Sequence, residues 1–196
     1  MSEIVDEIEE TVTSDAIDFG RLESLFEEAS DEERVEAIRR FSTDIQRRLF
    51  EAAEGRTVTL SDVVPPEVPP MSEVIHAGQN TLPVFRAFQK RFCRPRDRKD
   101  RLWGYNEQTF KAVTGPGYFI AYDDHQTGEV CIDYREVPPE SPDNWPDVKD
   151  NETRLGRFVY AGTVDRLRRV ADGVTIGRAY IDDEEPMDNW FALVRT

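Results

Sequence analysis

The chain has 196 residues, with 40 Asp and Glu against 25 Lys and Arg, for a net charge of −15. That length holds one ordinary domain with an added segment, or two small ones, and so acidic a surface repels nucleic acid and anionic lipid except where charge is locally segregated. Hydrophobic content is only 38%, yet 11 Phe, 6 Tyr and 3 Trp supply core material, which excludes a disordered chain.

The amino-terminal stretch MSEIVDEIEE lacks the basic and apolar regions of a signal peptide. No apolar run approaches the ~20 residues that span a bilayer. The two cysteines, Cys93 and Cys131, cannot build a disulfide framework. These features read as a soluble cytoplasmic protein without a membrane partner.

Residues 2–54 read as helices. Ile4, Val5, Ile8 and Val12 mark a first one, and Leu22, Leu25, Phe26 and Ala29 a second. Ser30 and Glu33 form a capping box at the head of a longer helix. Its apolar positions Val35, Ile38, Phe41, Ile45, Leu49 and Ala52 recur every three or four residues, and Gly55 stops it. Through Asp62 this segment has 18 acids and seven bases. Short helices bury too little alone, so their apolar stripes must pack on the remainder or on a partner. The stretch VVPPEVPP then reads as a stiff, extended boundary.

Beyond it, Asn80 or Thr81 can cap a helix that carries Pro83 in its first turn and runs to Phe92, and Asn106 can cap a short helix over EQTFKAV. GYFIAY and EVCIDYRE alternate as strands around the turn DDHQTG, followed by the proline-rich loop VPPESPDNWPD. RFVYAG reads as a strand, and Thr163 opens a helix over VDRLRRVAD. VTIGRAYI and NWFALVRT form a second hairpin across DDEEPMD. The expected fold is α+β: an N-terminal helical segment followed by a curved antiparallel sheet of two hairpins, covered by short helices. The expected division is an acidic helical segment over 1–62, a Pro-rich linker over 63–72 and an α+β domain over 73–196.

One stretch reverses the local charge. Between Arg86 and Arg101 stand eight basic residues and two acids. On the expected helix Phe85, Phe88 and Phe92 share one face, read as core, while Arg86, Lys90 and Arg94 line a flank. Three readings compete for these cations: pairing with the protein's own acidic helices, binding an anionic ligand, and, last, binding nucleic acid, which would need a domain of opposite overall charge. The loop His76–Thr81 before that helix, with Gly78 permitting a tight turn, could join Arg86 in an anion pocket. Arg166, Arg168 and Arg169 read as a solvated helix face.

No catalytic motif stands out. The loop Thr114–Gly117 lacks phosphate-binding spacing. His125 sits on a turn, and no H-x-x-x-H or C-x-x-C occurs, so no metal or cofactor is assigned. Cys93, between Arg91 and Arg94, could be a stabilised thiolate or simply buried. Glu107 beside Tyr105 is a carboxylate in aromatic surroundings, which capping by Asn106 with Glu107 at the positive end of a helix dipole would also explain.

The reading these residues support is a binding domain for an anionic small molecule or an acidic protein segment. Its site comprises Arg86, Lys90 and Arg94 with His76, Asn80, Trp103 and Tyr105. One alternative is an enzyme acting on an anionic substrate through Cys93, His76 or Glu107. Another is an interaction module whose acidic helices dock a basic partner. Sequence assigns neither catalysis nor oligomeric state.

Overall fold

A computed structural model of the chain describes residues 2–83, 86–107, 117–148 and 162–196. Its helices are α1 (Glu3–Thr13), α2 (Phe19–Glu28), α3 (Asp31–Arg39), α4 (Thr43–Ala52) and the single turn α5 (Leu60–Val63). The capping box at the start of α3 is present: the Glu33 amide donates to Ser30 Oγ at 3.3 Å, and the Ser30 amide to Glu33 Oε2 at 2.9 Å. The single long helix expected over 31–54 is instead two. Ser42 caps α4 by accepting from the Ile45 amide at 3.2 Å, and buried Gln46 donates to the carbonyl of Phe41 freed at the break. α4 ends at Ala52 with Ala53 as its cap, and Gly55, expected to stop the helix, follows two residues later in the turn with φ of +76°.

The body is a closed antiparallel barrel, not a curved sheet of two hairpins. Its eight strands are β1 (Val74–Asn80), β2 (Ala87–Cys93), β3 (Leu102–Glu107), β4 (Tyr118–Asp124), β5 (Glu129–Asp133), β6 (Thr163–Ala171), β7 (Val174–Ile181) and β8 (Glu185–Arg195). Each pairs with the next, and β8 returns to β1 with Gly78 opposite Leu193. The hairpins expected around 123–128 and 182–188 are present as β4–β5 and β7–β8. The helices expected over 80–92 and 164–172 are absent; β2 and β6 stand there. With those strands in place no edge is left exposed, and the sheet closes on itself. Of the helix expected over 107–113 only Glu107, the last residue of β3, is described. The strand expected over 157–162 falls outside the described residues except at Gly162.

Alternate residues face inward, and the register fixes which. His76 lies opposite Lys90, Lys90 opposite Asn106, Ile132 opposite Asp165, and Asp165 opposite Ala179. Inside, Phe88, Phe92, Leu102, Phe119, Val130, Ile132, Leu167, Phe191 and Leu193 form one core cluster. Three inward rings sit on glycines of the neighbouring strand, Phe88 on Gly78, Phe119 on Gly104 and Phe191 on Gly177. A Cβ at any of these glycines would stand within 2.6 Å of the ring, so the missing side chain makes room for the aromatic one.

One end of the barrel is stoppered. Val58, Leu60, Val63 and Val64, on and around α5, belong to the interior cluster. Arg94 clamps this stopper by donating to the carbonyls of Val64 and Pro65, and Arg195 by donating to that of Asp62. On the outside, α1–α4 share a cluster with Val170, Val174, Ile176, Trp190, Ala192 and Val194 of β6–β8. On the opposite wall, Trp145 and its neighbours cover Cys93, Trp103, Tyr105, Tyr118 and Ile120.

Candidate functional site

At the end of the barrel away from α5 lies a concavity of ≈ 70 Å³, open at its mouth. Asn80, at the close of β1, and Thr163, at the start of β6, stand at this end. Leu82, Phe88, Ala179, Met187 and Phe191 give it apolar walls, and Asn80, Thr163 and Asn189 add polar points. Its polar floor consists of Lys90, Asn106, Tyr134 and Asp165.

The floor residues are joined in one hydrogen-bonded network. The Lys90 ammonium donates to Asp165 Oδ2 at 3.0 Å, to Asn106 Oδ1 at 3.1 Å and to the Tyr134 hydroxyl. Tyr134 in turn donates to Asp165 Oδ2 at 3.1 Å and accepts from Asn106 Nδ2 at 3.0 Å. An ammonium has three protons, and all three have acceptors here. The rings of Phe88, Phe119, Tyr134 and Phe191 stand 4.9–5.7 Å from Lys90 Nζ. Lys90 is 2% exposed. Desolvation in this cage lowers its pKa from the ordinary lysine value, against the opposing pull of Asp165.

The seven residues expected to share one site do not converge. Lys90 and Asn80 line the concavity, and Arg86 is exposed, with Nε 3.4 Å from the carbonyl of Asn80. His76 lies deeper, towards the stopper, its Nε2 donating to the Val63 carbonyl at 2.9 Å. Burial pushes its pKa down to about 4. Arg94 lies past the far end of β2, engaged with the stopper. Trp103 and Tyr105 point out of the barrel into the cluster beneath Trp145. The helical flank was the wrong geometry: on a strand, residues 86, 90 and 94 share a face but are spread along the length of the barrel.

The basic stretch is also spent differently from expectation. Arg91 pairs with Glu73, Arg98 with Asp100, and Arg101 with Glu136. The acids of α1 and α3 engage Arg40 instead, and Glu23 of α2 engages Arg169 of β6. Arg166 and Arg168 are not a solvated helix face, because both bond Glu129 on the barrel wall. Cys93 faces outward while His76 faces inward, so they form no pair, and burial pushes the Cys93 thiol up to about 12. Among the described residues no group of three His, Cys, Asp or Glu could hold a metal ion.

Sequence reading missed Asp165 and Tyr134 as site residues, and took Asn106 for a helix cap. The available signal was the period-two run Arg86, Phe88, Lys90, Phe92, which marks an inward strand face with a cation at its centre.

No family model matches this chain, and no curated protein does. Among the described residues, no helix is long and apolar enough to cross a membrane.

Proposed function

We propose that the barrel binds one small, largely apolar molecule through its open end, with a neutral polar group of that molecule set against the Lys90–Asp165 floor. The observation that carries this reading is the charge-balanced, hydrogen-bonded cluster beneath aromatic walls. Eight-stranded barrels have interiors sized for side chains or for one small ligand. Binding sites of this kind pair apolar walls with a few fixed polar groups. Because Lys90 and Asp165 offset each other, the floor favours a hydroxyl, carbonyl or amide over a net charge.

A second reading keeps an anionic end group, held by Arg86 beside Asn80. Its support is the exposed position of that guanidinium beside Asn80.

Displacement of the neutral dye Nile red by matched 1-octanol and octanoate separates the two. Octanol should displace the dye, and Ala179→Met, which fills part of the concavity, should weaken octanol by about tenfold, or ~1.4 kcal/mol. Equal displacement from wild type and variant would remove the concavity from consideration. Stronger displacement by octanoate, lost in Arg86→Gln, would favour the second reading.

A further inference from the structure

Lysine is scarce in this chain, 4 residues against 21 arginines. Where a buried cation serves only to pair with a carboxylate, arginine is the usual choice, being planar, weakly hydrated and able to make two parallel bonds. The interior nevertheless carries a lysine, and what lysine has that arginine lacks is a primary amine able to act as a nucleophile once deprotonated. The other described lysine, Lys99, is exposed.

Resting on the binding reading above and extending it, we infer that the ligand carries an aldehyde or ketone, and that Lys90 condenses with it to form an imine on the floor of the concavity. The surrounding residues supply each proton step. Asp165, 3.0 Å from Nζ, takes the excess proton of the ammonium. The freed lone pair forms a bond to the carbonyl carbon, and the C=O π electrons move to oxygen. That oxygen is protonated from Tyr134, whose hydroxyl is bonded to both Lys90 and Asp165. The carbinolamine nitrogen, which carries two protons, returns one to the Tyr134 phenolate, Asp165 delivers the proton it took to the hydroxyl oxygen, the C–O bond breaks as the nitrogen lone pair forms C=N, and water leaves. Aldehyde and ammonium thus become a protonated imine and water, with nothing oxidised or reduced.

Two features suit the site to the product. The protonated imine carries the same single positive charge as the ammonium, so Asp165 remains its counterion and no charge is left unpaired in the barrel. The imine nitrogen keeps only one N–H, for Asp165. Tyr134 keeps the Asn106 amide as its donor at 3.0 Å and Asp165 as its acceptor at 3.1 Å, while Asn106 Oδ1 gives up the bond it accepted from the ammonium. The aromatic walls limit water and hence hydrolysis of the imine. Desolvation, which lowers the Lys90 pKa, enlarges the fraction of free amine.

The full chain is incubated with hexanal and cyanoborohydride, and labelled lysines are located by peptide mass analysis. A hexyl group fixed on Lys90 faster than on exposed Lys99 supports the inference. So does a rate about a hundredfold lower at Lys90 in Asp165→Asn with Lys99 unchanged, the usual scale of a lost proton-transfer group. Lys90→Arg, which keeps the charge, serves as the folded control and should lose the interior label alone. Labelling of Lys99 with Lys90 unmodified overturns the inference. If 1-hexanol still displaces Nile red in that case, the binding reading survives without the imine; if it does not, both fail together.

Discussion

At the scale of single residues, the interior holds two groups whose behaviour burial decides. Removing one partner of a buried ion pair leaves a charge without compensation, at a cost of about 3–5 kcal/mol, whereas replacing both with apolar groups is nearly neutral. Asp165→Leu should therefore lower stability by about that amount in urea unfolding, and the double variant Lys90→Met/Asp165→Leu should regain most of it. His76 sets a pH dependence of definite sign. Its folded pKa of about 4 lies below the ordinary 6.5, so between those values the unfolded chain binds a proton that the folded chain does not. Stability then rises with pH through this window and falls on acidification, by about 3 kcal/mol over the whole interval. His76→Leu should flatten the change in urea midpoint between pH 7 and pH 4.5; an unaltered slope would show that other groups govern it. Sequence pointed to both residues, but as receivers of an outside anion. Their desolvation and their partners 13 and 75 positions away depend on closure of the barrel and are invisible in local pattern.

At the scale of elements, the same ambiguity explains both what was legible and what was not. The hairpins β4–β5 and β7–β8 were readable because alternation, β-branched content and turn residues agree. β2 and β6 were not, because Phe88 and Phe92, four apart, satisfy a helical face and a strand face equally. In β6, Val164, Leu167 and Val170 mimic a helical stripe, yet Leu167 is in the interior cluster and Val170 in the outer one. Tertiary pairing resolved what spacing left open. The glycines of the wall are a further element-level feature. A Cβ at Gly104 would stand 2.4 Å from the Phe119 ring and 2.5 Å from the Arg91 carbonyl, whereas at Gly55 it meets nothing within 4 Å. Gly104→Ala should cost about 1–3 kcal/mol by overpacking. Gly55→Ala should cost less, about 1 kcal/mol, from its left-handed backbone alone. Denaturation midpoints in the reverse order would refute the account of the ring seats.

At the scale of the whole molecule, the helices and the barrel complete each other's apolar surface. Val5, Ile8, Val12, Leu22, Phe26, Ile38 and Leu49 from α1–α4 join Val170, Val174, Ile176 and Val194 from the barrel in one cluster. The sequence showed that the helical stripes needed a cover, and the barrel exterior provides it. Deleting residues 2–54 should expose this face of β6–β8, so that the shortened chain binds hydrophobic dyes and elutes as aggregates. A monodisperse truncated barrel would show that the face tolerates water. Among the described residues, the helix carboxylates that form ion pairs engage Arg21, Arg34, Arg40, Arg47 and Arg169, all outside the basic stretch.

The stopper formed around α5 has a bearing on traffic. A vessel corked at its base must be filled and emptied by the same route, so an occupant has to depart before a successor arrives, and no newcomer can push it out from behind. Exchange would be paced by departure alone, independent of how much fresh compound waits outside. A covalent tether on the floor would lengthen each stay without altering that order of events.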